Sequence, residues 1–379
     1  MRKAFKYRLY PTKKQTALLE DQLGEGCCLY NAALEERREA YRAQKKSLNY
    51  YDQASQLKEI RAAGFCCLAN FSACQDVLRR VDKTFRAFFA RVKRGEKAGY
   101  PRFKSASRFD SLTFPAYGDG CKVLDNGKLR IQGVGEIKVK CHRPVQGQIK
   151  TVTLKRDSGR WYVCFSVEYE GVPLPPSRQE VGIDVGLESF ATLSDGTQID
   201  NPRHYREAQA KLRRAQRRVA RRKRGGKNRG KAVREFQRAH TKVRNQRADF
   251  QHKLARSLVN RFGLICVEAL SIKGLAGGML AKSVMDAGWA SFIEKLAYKA
   301  EEAGRKLVKV NPRGTSQTCS GCGLKVEKGL SHRWHSCPNC GTELHRDHNS
   351  ALNILRLGRS RLGLTWSVTT CVPNEAAAL

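Results

Sequence analysis

Three short stretches in the second half of the chain constrain its fold most: residues 181–186 (VGIDVG), 264–270 (LICVEAL) and 344–354 (LHRDHNSALNI). The first two contain apolar, β-branched runs of strand length, the pattern of strands buried on both faces. Each run ends on a carboxylate, Asp184 in one and Glu268 in the other. The third places Asp347 ahead of a short amphipathic helix expected over 349–357. Gly186, just past Asp184, lets the backbone turn tightly or approach a phosphate. A lone acid after a strand is ordinarily a cap or turn residue, whereas three on such backgrounds ask for a joint explanation. Carboxylates brought together cannot all stay ionised without a positive partner. Hard divalent cations, Mg²⁺ or Mn²⁺, prefer carboxylate oxygen. A pair of them can stabilise both the attacking water and the leaving oxygen of a phosphodiester.

Cysteine spacing gives a second constraint. Cys319-x-x-Cys322 and Cys337-x-x-Cys340 are fourteen residues apart, with Gly321, Gly323 and Gly341 among them. Two such knuckles suit a tetrahedral Zn²⁺ that closes a ribbon too small to fold alone. Four thiolates leave no open position, so this zinc is expected to be structural. His332, His335, His345 and His348 lie close by, and most of them are expected at the surface; His345 and His348 flank Asp347, so either could touch the acid site or a phosphate. Other cysteines, such as Cys27, Cys28, Cys66, Cys67 and Cys266, lie in apolar or helical surroundings, where free thiols behave as small hydrophobes. That usage suggests a reducing, intracellular compartment. No apolar stretch is long enough to span a membrane, and the N-terminus lacks the apolar core of a signal peptide.

Seventy-two Lys and Arg against 35 Asp and Glu give a net charge of +37. Such self-repulsion calls for a polyanion, and nucleic acid is the natural one. At 379 residues the chain can hold two or three domains.

Taken in order, residues 3–9 read as a strand ending at Pro11, with Thr12 as N-cap of a helix. The pattern stays helical to about 94, broken near 45–52, with a second long helix over 71–92. Val77, Leu78, Val81, Phe85, Phe88 and Phe89 lie on one side of that helix. Residues 95–107 are basic and broken by Gly95, Gly99 and Pro101, with Tyr100 and Phe103 interleaved. Aromatics among basic residues suit phosphate contact and base stacking. From 112 to 170 short alternating segments are separated by turn signals at 125–127 and 157–159, a meander of antiparallel strands. With the N-terminal strand it could close a small barrel into which the helical region is inserted. Pro173, Pro175 and Pro176 mark a linker. Residues 181–195 read as two strands joined by a turn. A basic helical pair follows over 205–258, broken at 225–230, and 274–280 reads as a loose, lid-like segment. A helix over 289–303 and a strand over 306–310 precede the cysteine ribbon. Phosphate contacts are expected from Lys83, Arg86, Arg102 and Lys104, and from a run including Arg213, Arg217, Arg221 and Arg224.

The sequence resembles the TnpB family, insertion-sequence proteins also known as OrfB. The resemblance runs nearly the whole length, through 3–11 (KAFKYRLYP), 88–105 (FFARVKRGEKAGYPRFKS), GIDVG at 182–186, VEAL at 267–270, SQTCSGCG at 316–323, SCPNCG at 336–341 and RDHNSALNI at 346–354. It implies a multidomain α+β protein with a RuvC-like, RNase H-fold nuclease domain over 177–358. A zinc ribbon over about 314–343 would be inserted in that domain. A wedge-type β-barrel over 1–11 and 111–176 would be interrupted by a helical recognition domain over 12–110. Apart from the resemblance, residues 359–379 have little pattern and read as a disordered tail. By residue, the family's catalytic, metal-holding acids fall on Asp184, Glu268 and Asp347. Readers of a short flanking DNA motif would fall near Tyr50, Gln75 and 110–114. One departure is visible: His345-Arg346-Asp347 stands where the family often has Asp-Arg-Asp. The implied activity is RNA-guided, metal-dependent DNA cleavage by a monomer carrying a guide RNA from the end of its own element. It would act on double-stranded DNA in a bacterial or archaeal cytoplasm, at the nucleoid. A nuclease-inactive repressor, a transposase and a structure-selective resolvase remain the alternatives.

Overall fold

The computed structural model describes residues 1–329 and 332–364, without the side chains of 272 and 273, and the chain divides into two compact units, 1–170 and 171–379.

The first unit begins with β1 (Arg2–Tyr10), α1 (Lys13–Gln44), α2 (Tyr50–Ala62) and α3 (Phe71–Lys93). It continues with β2 (Ser111–Phe114), β3 (Cys121–Val123), β4 (Lys128–Ile131), β5 (Gly135–Lys140), β6 (Gln148–Asp157) and β7 (Arg160–Glu168). Thr12 caps α1 as expected, in a capping box with Gln15. The helix stops where Lys45 turns left-handed at φ 56°, and Asn49 starts α2 with a second capping box. The strands form one antiparallel sheet in the order β2-β6-β7-β1-β5-β4-β3. It is nearly closed, with β2 and β3 left as edges among the described strands. Phe5, Tyr7 and Leu9 alternate inward along β1 and join Leu19, Tyr30, Val77 and Val81 of the helices in one continuous core. The long apolar side expected of α3 is buried only as far as Phe85: Phe88 is half-buried and Phe89 exposed.

The second unit contains β8 (Glu180–Asp184), β9 (Ser189–Leu193), β10 (Gln198–Asp200), α4 (His204–Ala220), α5 (Lys227–Arg261), β11 (Leu264–Glu268), α6 (Ile272–Leu275) and α7 (Ala281–Ala287). After these come α8 (Trp289–Glu302), β12 (Lys306–Val310), β13 (Trp334–Ser336), β14 (Glu343–His345) and α9 (Arg346–Arg361). Five strands make a sheet ordered β10-β9-β8-β11-β12. β11 runs parallel to β8 and β12, whereas β9 and β10 turn back antiparallel. Every residue of β11 is buried, because both faces are covered. Ile265 and Val267 face the core built with α5 and α8, and Leu264 and Cys266 face Ile354 and Leu355 of α9.

Three expectations need correction. The last helix is longer than 349–357 and takes Asp347 into its first turn. It runs to Arg361, past the expected start of the tail, of which residues 365–379 lie outside the described residues. The proline segment is docked as well, the Leu174 N–H donating to the Ala303 carbonyl. Among the described residues no helix is long and apolar enough to cross a membrane.

Candidate metal-dependent acid site

Strand register brings the first two acids together. Ile183 pairs with Val267 in the parallel ladder, so Asp184 and Glu268 follow side by side at the carboxyl ends of β8 and β11. Open sheets containing parallel strands commonly bind ligands at those ends. Alternation sends both side chains to the face opposite Ile183 and Val267, which is the face α9 covers.

The third acid arrives because α9 lies directly on that face. Gly182 has no side chain where a Cβ would overlap the Ala351 carbonyl, and Gly358 has none where it would overlap the Cys266 sulfur. These two glycines set how closely helix and sheet approach, and that approach delivers Asp347. Gly186 does not adopt a left-handed backbone. A Cβ there would stand 3.0 Å from the Ser189 carbonyl and at an ordinary contact distance, 3.7 Å, from Asp347 Oδ2, so this glycine borders that carboxylate.

Electrostatics register the crowding. Burial, then the charges of Glu268 and Asp347, push the Asp184 carboxyl well above the ordinary carboxylate range, opposed by a Ser350 hydrogen bond and the Arg346 charge. Burial also raises Glu268, opposed by the Thr315 hydroxyl, which donates to Glu268 Oε1 at 2.6 Å. An anionic cradle of this kind, short of positive charge, fits a divalent cation. The three acids are less tightly gathered than the cysteines described next.

Among the described residues, Cys319, Cys322, Cys337 and Cys340 are the group of potential metal ligands drawn within 4.8 Å of one another. Their sulfurs stand 3.6 Å apart for Cys319 and Cys340 and 3.5 Å apart for Cys322 and Cys337. Tetrahedral thiolates at the usual Zn–S length of about 2.3 Å are roughly 3.8 Å apart, so the set fits zinc. The Thr342 hydroxyl beside Cys340 pulls that thiol down to about 6, which favours the thiolate a metal needs.

The link between the two sites is not visible in the spacing of either motif. Asn349 and Asn353, buried one turn apart on α9, hold the loop before and within the first cysteine knuckle. Asn353 Nδ2 donates to the Thr315 and Thr318 carbonyls at 2.9 and 2.7 Å. Asn349 donates to Thr318 and accepts from the Ser320 N–H at 2.9 Å. Two asparagines at i and i+4 on the buried face of an amphipathic helix are the signal that could reveal it. The flanking histidines have local partners: His345 caps α9 by accepting the Asp347 N–H, and His348 pairs with the Ser194 carbonyl. His335 is fully buried against Lys328.

The basic candidates divide. Arg213, Arg217, Arg221 and Arg224 are exposed, while Leu212 and Ala215 are buried on α4, which packs along α5. Lys83 and Arg102 are exposed, and Arg86 is exposed but bonded to Asp82 at 2.7 Å. Lys104 is partly buried, its Nζ 4.3 Å above the Tyr30 ring, and burial lowers its pKa. Tyr50 and Gln75 are half-buried, Tyr50 beneath the Arg79 guanidinium.

Comparison with known proteins adds three family matches. The model for OrfB of IS605, described as "Probable transposase", matches residues 162–278. The "Cas12f1-like, TNB domain" model matches 289–354, the span containing the cysteine ribbon and most of the acid-bearing helix. An OrfB "Helix-turn-helix domain" model matches 1–46, where the structure has a strand followed by one continuous helix. A "putative RNA-guided DNA endonuclease" of Streptomyces pristinaespiralis is 34% identical over 94% of this chain and 90% of its own length. Another of that description, InsQ of Escherichia coli (strain K12), is 30% identical over 95% and 93%. Among solved structures, the mini-RNA-guided endonuclease CRISPR-Cas_phi3 aligns over 94% of this chain and 92% of its own, at 9% identity and a TM-score of 0.50, a likeness of fold alone.

Proposed function

This chain belongs to the TnpB family, the OrfB proteins of IS605-type insertion sequences, and from that premise we propose that it is the RNA-guided DNA endonuclease of a transposable element. The observation that carries the chemistry is the placement of Asp184 and Glu268 at adjacent parallel strand ends, facing the helix that bears Asp347. The order of the five-stranded sheet, antiparallel on one side and parallel on the other, supports a RuvC-like RNase H fold. The seven-stranded sheet with its packed helices would serve as wedge and recognition unit.

Asp184, Glu268 and Asp347 would hold Mg²⁺ or Mn²⁺, which when bound supplies water activation and stabilises the leaving oxygen. Thr315 orients the Glu268 carboxylate, Ser350 supports Asp184, and Gly186 borders Asp347. Cys319, Cys322, Cys337 and Cys340 would hold structural zinc. Arg213, Arg217, Arg221 and Arg224 would lie along nucleic-acid backbone, and base pairing with the guide would choose the sequence. Tyr50, Gln75 and residues 110–114 would read a short flanking motif. One copy of the chain per guide would act in the cytoplasm, on nucleoid DNA.

The test is cleavage of a plasmid library by the purified complex with Mg²⁺, a randomised flank standing beside a guide-matched sequence. Cutting that needs both match and flank, and vanishes in Asp184→Ala, is the expected result. Binding without cutting would favour a repressor. Absence of bound RNA would return the transposase and resolvase readings.

A further inference from the structure

Helix α3 outruns the core it packs on. It buries Val77, Leu78, Val81 and Phe85, and no residue of it beyond Phe85 is buried. On that free end three rings pack on one another: Phe88 lies 5.2 Å from Phe89 and 5.4 Å from Tyr100, centroid to centroid. Phe89 is 57% exposed and Tyr100 47%, with Val92 beside Phe89 in sequence at 51%. Arg91, Lys93 and Lys97 are exposed along the same stretch, Arg91 donating to the Ala87 carbonyl, and Arg94 is bonded to Glu96. Exposed apolar surface of this kind, rimmed by charge, marks an interaction site.

We infer that this ring cluster is a stacking platform for unpaired bases of the guide RNA, with the neighbouring cations meeting its phosphates. Charge complementarity selects the partner: the rim is basic, so the occupant must present flat apolar faces and negative charge together. Unpaired nucleotides do both. The target duplex keeps its base faces stacked inside, while a folded RNA offers loops whose bases can lie on aromatic rings. The inference rests on the RNA-guided reading.

Its test uses the full chain stripped of nucleic acid and two probes of equal length, a single-stranded oligouridylate and an RNA duplex. The unaltered chain should prefer the single strand. Phe89→Leu keeps apolar bulk and loses the π face, and should weaken single-strand binding by roughly five- to a hundred-fold, the span of base–aromatic stacking. The slope of log affinity against log salt should stay unchanged, because no charge is removed. Phe89→Trp should restore binding. Tyr100→Leu should repeat the loss, and thermal melting of each variant reports that it is folded. When each is expressed with the element end, the leucine variants should also carry less RNA per chain. Unchanged single-strand affinity in both leucine variants overturns the inference, as does an equal loss on the duplex. Intact RNA loading with impaired target-DNA binding overturns it too, assigning the rings to DNA. An unaltered chain that binds neither RNA overturns the guided reading, and this inference with it.

Discussion

Thr315 donates its hydroxyl to the Glu268 carboxylate at 2.6 Å, and the carbonyl of the same threonine accepts from Asn353 on the helix that carries Asp347. One buried residue thus touches the strand-borne acid and is held by the helix of the third acid. A hydrogen bond to a charged group is worth about 1.5–3 kcal/mol. Thr315→Val keeps the shape and leaves the carboxylate oxygen without that donor. Cleavage should fall roughly ten- to a hundred-fold by the same reckoning. RNA and target-DNA affinities should hold, and single-turnover cleavage beside filter binding separates the two.

Asp184 is raised by burial and by two neighbouring acids, so in the absence of a cation it opposes folding. Asp184→Asn should abolish cleavage yet raise the melting temperature of the metal-free chain. A gain on the order of 1 kcal/mol corresponds to about 2–4 °C for a unit of this size. Mg²⁺ should raise the melting temperature of the unaltered chain more than that of the variant. Paired melts with and without Mg²⁺ measure both effects.

The two acid-bearing strands and the cysteine knuckles are legible because their signals are local. A short apolar run ending in an acid, VGID in one strand and LICVE in the other, has few other readings, and neither has a doubled C-x-x-C. β10 escapes because three residues carry no period, and α9 reads short because Arg346 and His348 look polar although the helix begins with them. The Thr315 contact spans 47 residues and Asn353 reaches back 38, so no window contains either pair. The setting of Lys104 is hidden for the same reason: its neighbours in sequence are basic and aromatic, and in space it lies over Tyr30 and Phe109.

Gly182 sits where α9 crosses β8, and a methyl group there would overlap the Ala351 carbonyl and crowd Leu355. Backbone cannot yield as a flexible side chain can, so Gly182→Ala should cost roughly 1–3 kcal/mol, the usual range of overpacking. The displaced helix should also carry Asp347 away, with cleavage falling more than stability alone explains. Denaturant melts and cleavage by the remaining folded fraction check the two parts.

Zinc should be recovered at one ion per chain, and Cys337→Ser should lose it. Asn349 and Asn353 grip Thr315, Thr318 and Ser320, so an unravelled knuckle should loosen the Glu268 side of the site as well. The expected outcome is a lower melting temperature and lost cleavage, with RNA binding retained in part. Metal analysis, melting and RNA binding on one preparation check it. Full cleavage by a zinc-free chain would remove the coupling between the sites.

Arg217 and Lys104 are both expected on phosphate, and the structure separates them. Arg217 is exposed on α4, whereas Lys104 lies over two rings with its backbone N–H and carbonyl bonded to Asn31. Removing one cation that neutralises a phosphate should reduce the slope of log affinity against log salt by about 0.9 on duplex DNA or about 0.7 on a single strand. Arg217→Ala with Arg221→Ala should therefore flatten the salt dependence and leave melting unchanged. Lys104→Ala should do the reverse, removing cation–ring attraction worth about 0.5–2 kcal/mol while the slope stays as it was. A salt titration of binding and a melt of each variant decide the matter. A flattened slope in Lys104→Ala would mean that this lysine leaves its rings for the nucleic acid when the complex forms.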